Sequence, residues 1–208
     1  MTGETVTQPL VLIVEGDDDK NFFEALARHL GLTSVQVLPA DGKDNLRPHI
    51  AAVAKMPGFL STARALGVAR DADTDPKAAF QSVRDALLAA GLPAPEAPLE
   101  VAEGDLSVSV MILPGAGQPG KIEDLCLASV GADPATPCIG AYFECLRTSG
   151  ASEPGDLSKA KVQAFLASRP KPCPHLGIAA QQGHWPWDAG AFSDASKFLE
   201  QLAARIRP

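Results

Sequence analysis

Residues 11–31 read VLIVEGDDDKNFFEALARHLG, and this stretch determines how the rest of the chain is interpreted. It opens with a short aliphatic run, rich in β-branched residues, which predicts a strand buried on both faces. Phe22 and Leu26 then begin an apolar pattern at helical spacing, and Gly31 is typical of a helix end. The stretch therefore predicts a strand that leads directly into a helix, with Glu15 and three aspartates at the junction.

So many like charges at the end of a buried strand require an explanation, because repulsion among carboxylates costs stability. They are either solvated residues at a helix start or ligands of a cation. Asp17 is expected to cap the helix, and Asp18 and Asp19 to favour the positive end of its dipole. Asp75, which precedes Pro76, fits the start of another helix in the same way.

The pattern of strand and helix repeats along the first 130 residues. Further strands are predicted over 34–40, 65–73 and within LSVSVMILPG, with a helix after each of the first three strands. This alternation requires crossover connections, and hence an α/β fold with a mainly parallel, Rossmann-like sheet of about four strands flanked by helices. Residues 1–130 are expected to form the core, and 131–208 a helical annex packed on it.

Composition and charge limit the kinds of fold, location and binding partner that the chain can have. The 208 residues are 46% hydrophobic, enough for one substantial core, and no apolar run is long enough to span a membrane. The N-terminus lacks the features of a signal peptide, so a soluble, cytoplasmic protein is expected. The net charge of -7 argues against a broad surface that grips phosphates. A nucleic-acid substrate would need a metal ion or a partner to help hold it.

The chain has four cysteines: Cys126, Cys138, Cys145 and Cys173. They show no CxxC pairing, which predicts reduced, mostly buried thiols. A zinc site formed by Cys173, His175 and His184 is the alternative.

Acidic residues end two of the predicted strands. Glu15 follows the first strand, and Asp71 and Asp73 end the third. Ligands of parallel α/β sheets bind outside the carboxyl ends of the strands, so these side chains are expected to converge. Residues spaced by two in an extended segment point the same way, so both aspartates should reach one cation. Oxygen-only ligands favour Mg²⁺ or Mn²⁺.

The motifs LIVEGDDDKNFF, GKDNL and GVARDADTD, taken in this order, resemble the Toprim domain of topoisomerases, primases and nucleases of the overcoming-lysogenization-defect (OLD) type. The resemblance covers residues 8–130 and is strongest to small stand-alone Toprim-like proteins of unassigned function related to OLD-type nucleases. It implies a Toprim-like fold, in which Glu15 is a metal ligand or a general acid/base. It also implies that Asp71 and Asp73 hold a divalent cation, Mg²⁺ or Mn²⁺. Gly16 matches the glycine that follows the Toprim glutamate.

The resemblance to OLD-type nucleases further implies a second metal, a downstream acid and a lysine. Glu123 fits the acid because it opens a helix just after the fourth strand, although it also fits an ordinary first-turn glutamate. Lys161 lies within an apolar stripe, where a lysine either extends to solvent or meets a phosphate. Gly42 and Lys43 are expected to contribute a phosphate-facing turn, and Gly16 is expected to contact phosphate as well.

Two further segments have competing interpretations. GAGQPGKI, residues 115–122, matches the first seven positions of a P-loop, but Ile122 replaces the Ser or Thr that binds Mg²⁺ and Pro119 removes an N–H. A flexible turn near the metal site is expected instead. Trp185 and Trp187 are expected to be buried, with stacking on bases as the alternative.

Two functions follow from these observations. The first is a divalent-metal-dependent phosphodiester hydrolase, a nuclease that binds nucleic acid weakly when isolated. The second is a non-catalytic or regulatory Toprim-like protein that binds metal, nucleotide or a partner ATPase. The acidic composition favours the second, and the clustered acids favour the first.

Overall fold

The computed structural model describes residues 5–206 and shows an α/β architecture. Its five-stranded sheet has the order β2-β1-β3-β5-β4. The strands are β1 (Leu10–Val14), β2 (Val35–Pro39), β3 (Ala65–Asp71), β4 (Val101–Ala102) and β5 (Ser107–Leu113). All pairings are parallel except that of the short edge strand β4 with β5. The predicted fold class, a mainly parallel sheet flanked by helices, is confirmed.

Helices cover both faces of this sheet. They are α1 (Asp17–His29), α2 (Leu46–Val53), α3 (Phe59–Thr62), α4 (Pro76–Ala89), α5 (Ile122–Ser129), α6 (Ala135–Thr148), α7 (Leu157–Ala167), α8 (Leu176–Gln181) and α9 (Ser193–Ala204). Helices α2, α3 and α4 pack on one face, and α1, α5, α7, α8 and α9 on the other. Consecutive residues of β1 alternate between these two hydrophobic clusters, which explains why the whole strand is apolar.

The last helix completes the sheet face that α1 begins. Phe198 and Leu202 of α9 pack directly over Gly67 in β3, where a Cβ atom would lie 2.9 Å from either side chain. The glycine therefore lets a helix from the end of the chain approach the centre of the sheet. Residues 131–206 thus share a hydrophobic cluster with β1 and α1.

Several local features differ from the sequence interpretation. Helices α3 and α8 and the edge strand β4 were not predicted. The prediction that the cysteines are mostly buried is wrong for two of them, since Cys138 and Cys145 are exposed on α6. That helix has no buried residue, and its Ala135 and Ile139 pack against the cluster of α1 while partly exposed.

The tryptophan segment follows the prediction of burial. Trp185 is 2% exposed, and its indole N–H donates to the carbonyl of Leu176. Trp187 packs against the rings of Phe22 and Phe192. Within residues 5–206, no helix is long and apolar enough to cross a membrane.

Candidate metal centre at the carboxyl edge of the sheet

Glu15 lies immediately after β1 and is held at the carboxyl end of the neighbouring strand, β3. Its Oε1 accepts a hydrogen bond from the backbone N–H of Asp71 at 3.3 Å and lies 3.6 Å from Nε of Arg70. Its own carbonyl accepts from the N–H of Gly42, which fixes the loop after β2 beside it. Burial raises the pKa of Glu15 although the Arg70 charge opposes this.

Asp19 belongs to the same group, and the sequence interpretation missed it. Helix α1 is capped by Gly16, not by the expected Asp17, and the N–H of Gly16 donates to Oδ2 of Asp19 at 3.2 Å. Asp19 is only 9% exposed. Burial, followed by the charge of Glu15, raises the pKa of Asp19 to about 7. The sequence did contain a signal, because Asp19 precedes Phe22 by three residues and so lies on the buried stripe of the helix.

Asp71 ends β3 between these acids and the start of α5. Its Oδ1 accepts from the backbone N–H of Ile122 at 3.0 Å. Burial and then the negative charges of Asp19, Glu15 and Glu123 raise the pKa of Asp71 to about 9. The carboxylates from β1, α1, β3 and α5 thus converge at one edge of the sheet, as the topology predicts.

Glu123 lies in the first turn of α5 and lines the same cleft as Asp19 and Asp71, a cavity of about 550 Å³. Burial raises the pKa of Glu123. The predicted downstream acid is therefore brought next to Asp71, although a first-turn position is compatible with its ordinary role at a helix start.

Two lysines stand on the rim of this cleft. The ammonium group of Lys121 is 2.8 Å from Oδ2 of Asp156. Lys159, in the first turn of α7, forms no close ion pair among the described residues, although its charge acts on Glu123 and Asp156. By contrast, Lys161 lines a separate groove with Glu144 and Arg147. The structure therefore does not bring the predicted lysine to the carboxylates, whereas it does bring Lys121 and Lys159 there.

Asp73 is placed differently from the expectation for a DxD pair. Strand β3 ends at Asp71, and Asp73 has a left-handed backbone, with φ of 51°. The extended geometry that would point both aspartates the same way therefore stops short of Asp73. Its Oδ2 accepts from Nζ of Lys43 at 2.9 Å, and its backbone pairs with Gly120. The predicted phosphate-binding residues Gly42 and Lys43 therefore lie next to Glu15 and Asp73, and the ammonium group of Lys43 is paired with Asp73.

The donor chemistry of the cleft fits a hard divalent cation. The atoms available to a cation are carboxylate oxygens, and burial, followed by repulsion from neighbouring carboxylates, raises the pKa values of Asp19 and Asp71. Among residues 5–206, however, no three His, Cys, Asp or Glu side chains form a ready coordination set. This also means that the alternative zinc site at Cys173, His175 and His184 is not assembled in the described part of the chain.

A family model matches residues 9–204, almost the entire chain. The chain belongs to the DUF3226 family. This family is described as a protein of unknown function. No match was found among curated proteins. The family assignment therefore leaves the chemistry of the DUF3226 chain to be interpreted from its own residues.

The DUF3226 chain is similar to solved C-terminal regions of OLD proteins. One from Burkholderia pseudomallei is 14% identical, with 95% of this chain and 100% of that chain covered and a TM-score of 0.44. The region from Xanthomonas campestris pv. campestris, phased with platinum, is 16% identical, with coverages of 93% and 96% and a TM-score of 0.43. The same region phased with mercury is 12% identical, with coverages of 97% and 89% and a TM-score of 0.40.

Proposed function

We propose that this chain is a divalent-metal-dependent phosphodiester hydrolase that acts on nucleic acid. The convergence of Glu15, Asp19, Asp71 and Glu123 at the carboxyl edge of the sheet carries this proposal. The motif resemblance to Toprim domains supports it, because Glu15 and Asp71 match the glutamate and the first aspartate of that signature.

The carboxylates have distinct roles in this proposal. Asp71, Glu15 and Glu123 would hold Mg²⁺ or Mn²⁺, with Asp73 joining them when Lys43 leaves its carboxylate. A bound divalent ion would neutralise charge on the phosphate and activate a water molecule. Asp19, whose pKa is raised to about 7, is suited to hold or release a proton at its Oδ1 or Oδ2 near neutral pH.

The rim lysines supply contacts for the substrate. Lys159 is exposed and faces the cleft, so its ammonium group is available to a phosphate oxygen. Lys121 is tied to Asp156 and would contact phosphate only by sharing that carboxylate. The few cations on the rim agree with weak binding of nucleic acid by the isolated chain. A partner ATPase, as the OLD-type resemblance implies, would supply the missing grip or control.

The direct experiment is plasmid nicking by purified protein in Mn²⁺. Glu15→Gln and Asp71→Asn preserve the shape of each side chain, and each is expected to lower the nicking rate at least about 100-fold. Asp105→Asn, at an exposed position outside the cleft, is the matched control and should nick at the wild-type rate. If all of these variants nick equally fast, the activity belongs to a contaminant or to another site.

A lysine pair locates the phosphate contact. Lys159→Ala is expected to slow nicking by about tenfold or more, because the side chain faces the carboxylates, whereas Lys161→Ala should have little effect. The opposite result would restore the sequence-based prediction for Lys161 and would place the substrate across α7.

A regulatory role is the second candidate, and the ion pair between Lys43 and Asp73 favours it. In that role the site would bind metal, nucleotide or a partner ATPase without cleaving a substrate. Metal-dependent stabilisation without any nicking, with or without a partner, would select this candidate.

A further inference from the structure

A second cavity, of about 420 Å³, is lined by residues other than those of the candidate metal centre and has different chemistry. Its walls are largely apolar and include Phe80, Pro98, Leu99 and Met111. The loop of Gly115, Ala116 and Gly117 closes one side. A volume of this size is within the range of sites that hold a compact organic ligand. The first three residues of the GAGQPGKI segment line this cavity.

The loop that closes this cavity presents unused hydrogen-bond donors. Gly115, Ala116 and Gly117 have successive φ values of 109°, 49° and 67°. Within residues 5–206, the backbone N–H groups of these three residues donate no hydrogen bond. Consecutive free N–H groups in an irregular turn are a recurrent arrangement for binding anions.

Side chains of α4 that line the cavity add one charge and one amide, whose nitrogen donates to Oδ1 of Asp85 at 2.7 Å. Lys77 and Gln81, in the first turns of α4, line the cavity, and Lys77 has no carboxylate partner in the described part of the chain. Glu96 also lines it, but its charge is met by Arg84 at 2.9 Å. The carboxylate of Asp194 also lies close to the loop, because its Oδ2 would be 3.1 Å from a Cβ atom added to Gly115, but it does not line the cavity.

We propose that this cavity binds a nucleotide. The base would lie against Phe80, Pro98 and Leu99, with the carbonyl oxygen of Gln81 available to its polar edge, since the amide nitrogen of Gln81 donates to Asp85. The phosphate would meet the N–H groups of residues 115–117 and the ammonium group of Lys77. An apolar slot with donors and a cation at one end matches a flat ring that carries a phosphate better than it matches an uncharged apolar ligand.

The nucleotide can come from two sources with the same chemistry. One is a free mononucleotide, and the other is an unpaired nucleotide of a strand whose phosphates reach the carboxylates. The second source is suggested by the course of the loop, which continues from Gly117 to Gly120, whose backbone pairs with Asp73, and then to Ile122, whose N–H donates to Asp71. Binding at the cavity does not require hydrolysis, so this inference stands or falls separately from the proposed function.

Calorimetric titration of the full chain with the four ribonucleoside 5′-monophosphates tests the site. At least one is expected to bind, and Lys77→Ala should weaken that binding about tenfold, since a charged hydrogen bond to phosphate is lost. Gln81→Trp places a bulky ring at the mouth of the cavity and should abolish binding. Lys55→Ala, at an exposed lysine away from the cavity, is the control and should leave binding unchanged. Far-ultraviolet circular dichroism shows whether each variant is folded.

A second set of ligands separates the two sources and the competing occupants. If a tetranucleotide binds at least about tenfold more tightly than its mononucleotide, and if Gln81→Trp removes this gain in affinity, the source is a strand. Equal affinities identify the free nucleotide. Equal binding of nucleosides and their monophosphates would overturn the phosphate assignment. Binding of an apolar dye, but of no nucleotide, would overturn the proposal in favour of an apolar partner.

Discussion

Asp71→Asn should change how the stability of the metal-free protein depends on pH. Burial and neighbouring carboxylates raise the pKa of Asp71 from 3.8 to about 9. Between these values the folded protein keeps a proton that the unfolded chain has released. Stability from this group is therefore fully present below about pH 3.8 and is lost progressively as the pH rises towards about 9.

The size of the effect follows from the same shift. Each pH unit in this window costs about 1.4 kcal/mol for one group, so Asp71 alone would lower the free energy of unfolding by on the order of 3 kcal/mol between pH 5 and pH 7. That is a large part of the 5 to 15 kcal/mol typical of a folded domain. Asparagine keeps the acceptor for the N–H of Ile122 but cannot ionise, so the variant should lose this component of the slope.

Urea unfolding in a chelator, followed by tryptophan fluorescence at several pH values, measures this slope. Asp105→Asn, at an exposed acid, should retain the wild-type slope. Adding Mn²⁺ should reverse the trend in the wild type, because carboxylates bind metal in their ionised form, and should raise stability by about 2.7 kcal/mol at 100 times the dissociation constant. Parallel pH profiles for the wild type and Asp71→Asn in chelator would refute the account of a repulsive carboxylate cluster.

Three other predictions test separate parts of the structure. Asp73→Ala should reduce the rise in melting temperature that Mn²⁺ produces, because one of the four proposed ligands is lost, and an unchanged rise would exclude Asp73 as a ligand. Gly177→Ala should cost about 1 to 3 kcal/mol in urea unfolding, since its Cβ atom would lie 2.7 Å from a backbone oxygen of α1, whereas Gly140→Ala in open space on α6 should stabilise the fold by up to about 1 kcal/mol. A thiol reagent should modify Cys138 and Cys145 rapidly in the native protein and the two buried cysteines only on unfolding; four equal rates would contradict the burial pattern.

The fold could be predicted because its strands and helices carry strong local patterns. The apolar run of β1 and the 3.6-residue spacing of α1 and α4 identify the elements, and the crossover rule then fixes the parallel sheet. Helix α8 escaped prediction because its six residues show too little of a period. It is held by a tertiary contact, the hydrogen bond from the N–H of Gly177 to Asp18. The division into a core and an annex at residue 130 stays a prediction.

The candidate site was predicted in outline but not in detail. The ends of parallel strands lie at one edge, so the convergence of Glu15 and Asp71 follows from topology alone. The contribution of Asp19 follows from its place on the buried stripe of α1, three residues before Phe22, whereas its position in the first turn favoured a role at the helix dipole. The lysine facing the acids depends on the rotation of α7, and two residues along a helix turn a side chain by about 200°. That rotation separates Lys159 from Lys161.

The ion pair between Lys43 and Asp73 connects metal binding to the loop that follows β2. Lys43 occupies the carboxylate that a cation would need, so binding through Asp73 must release the lysine. The released ammonium group would stay near the carboxylates, because the N–H of Gly42 is bonded to the carbonyl of Glu15. It would then be free to meet a phosphate oxygen, as the sequence predicts for this turn. Metal and phosphate binding should therefore be mutually favourable, which a hydrolase requires. A regulatory protein could instead keep Lys43 on Asp73. Lys43→Ala should tighten Mn²⁺ binding in either case, and in the hydrolase it should also slow nicking, whereas the regulatory protein has no nicking activity to lose.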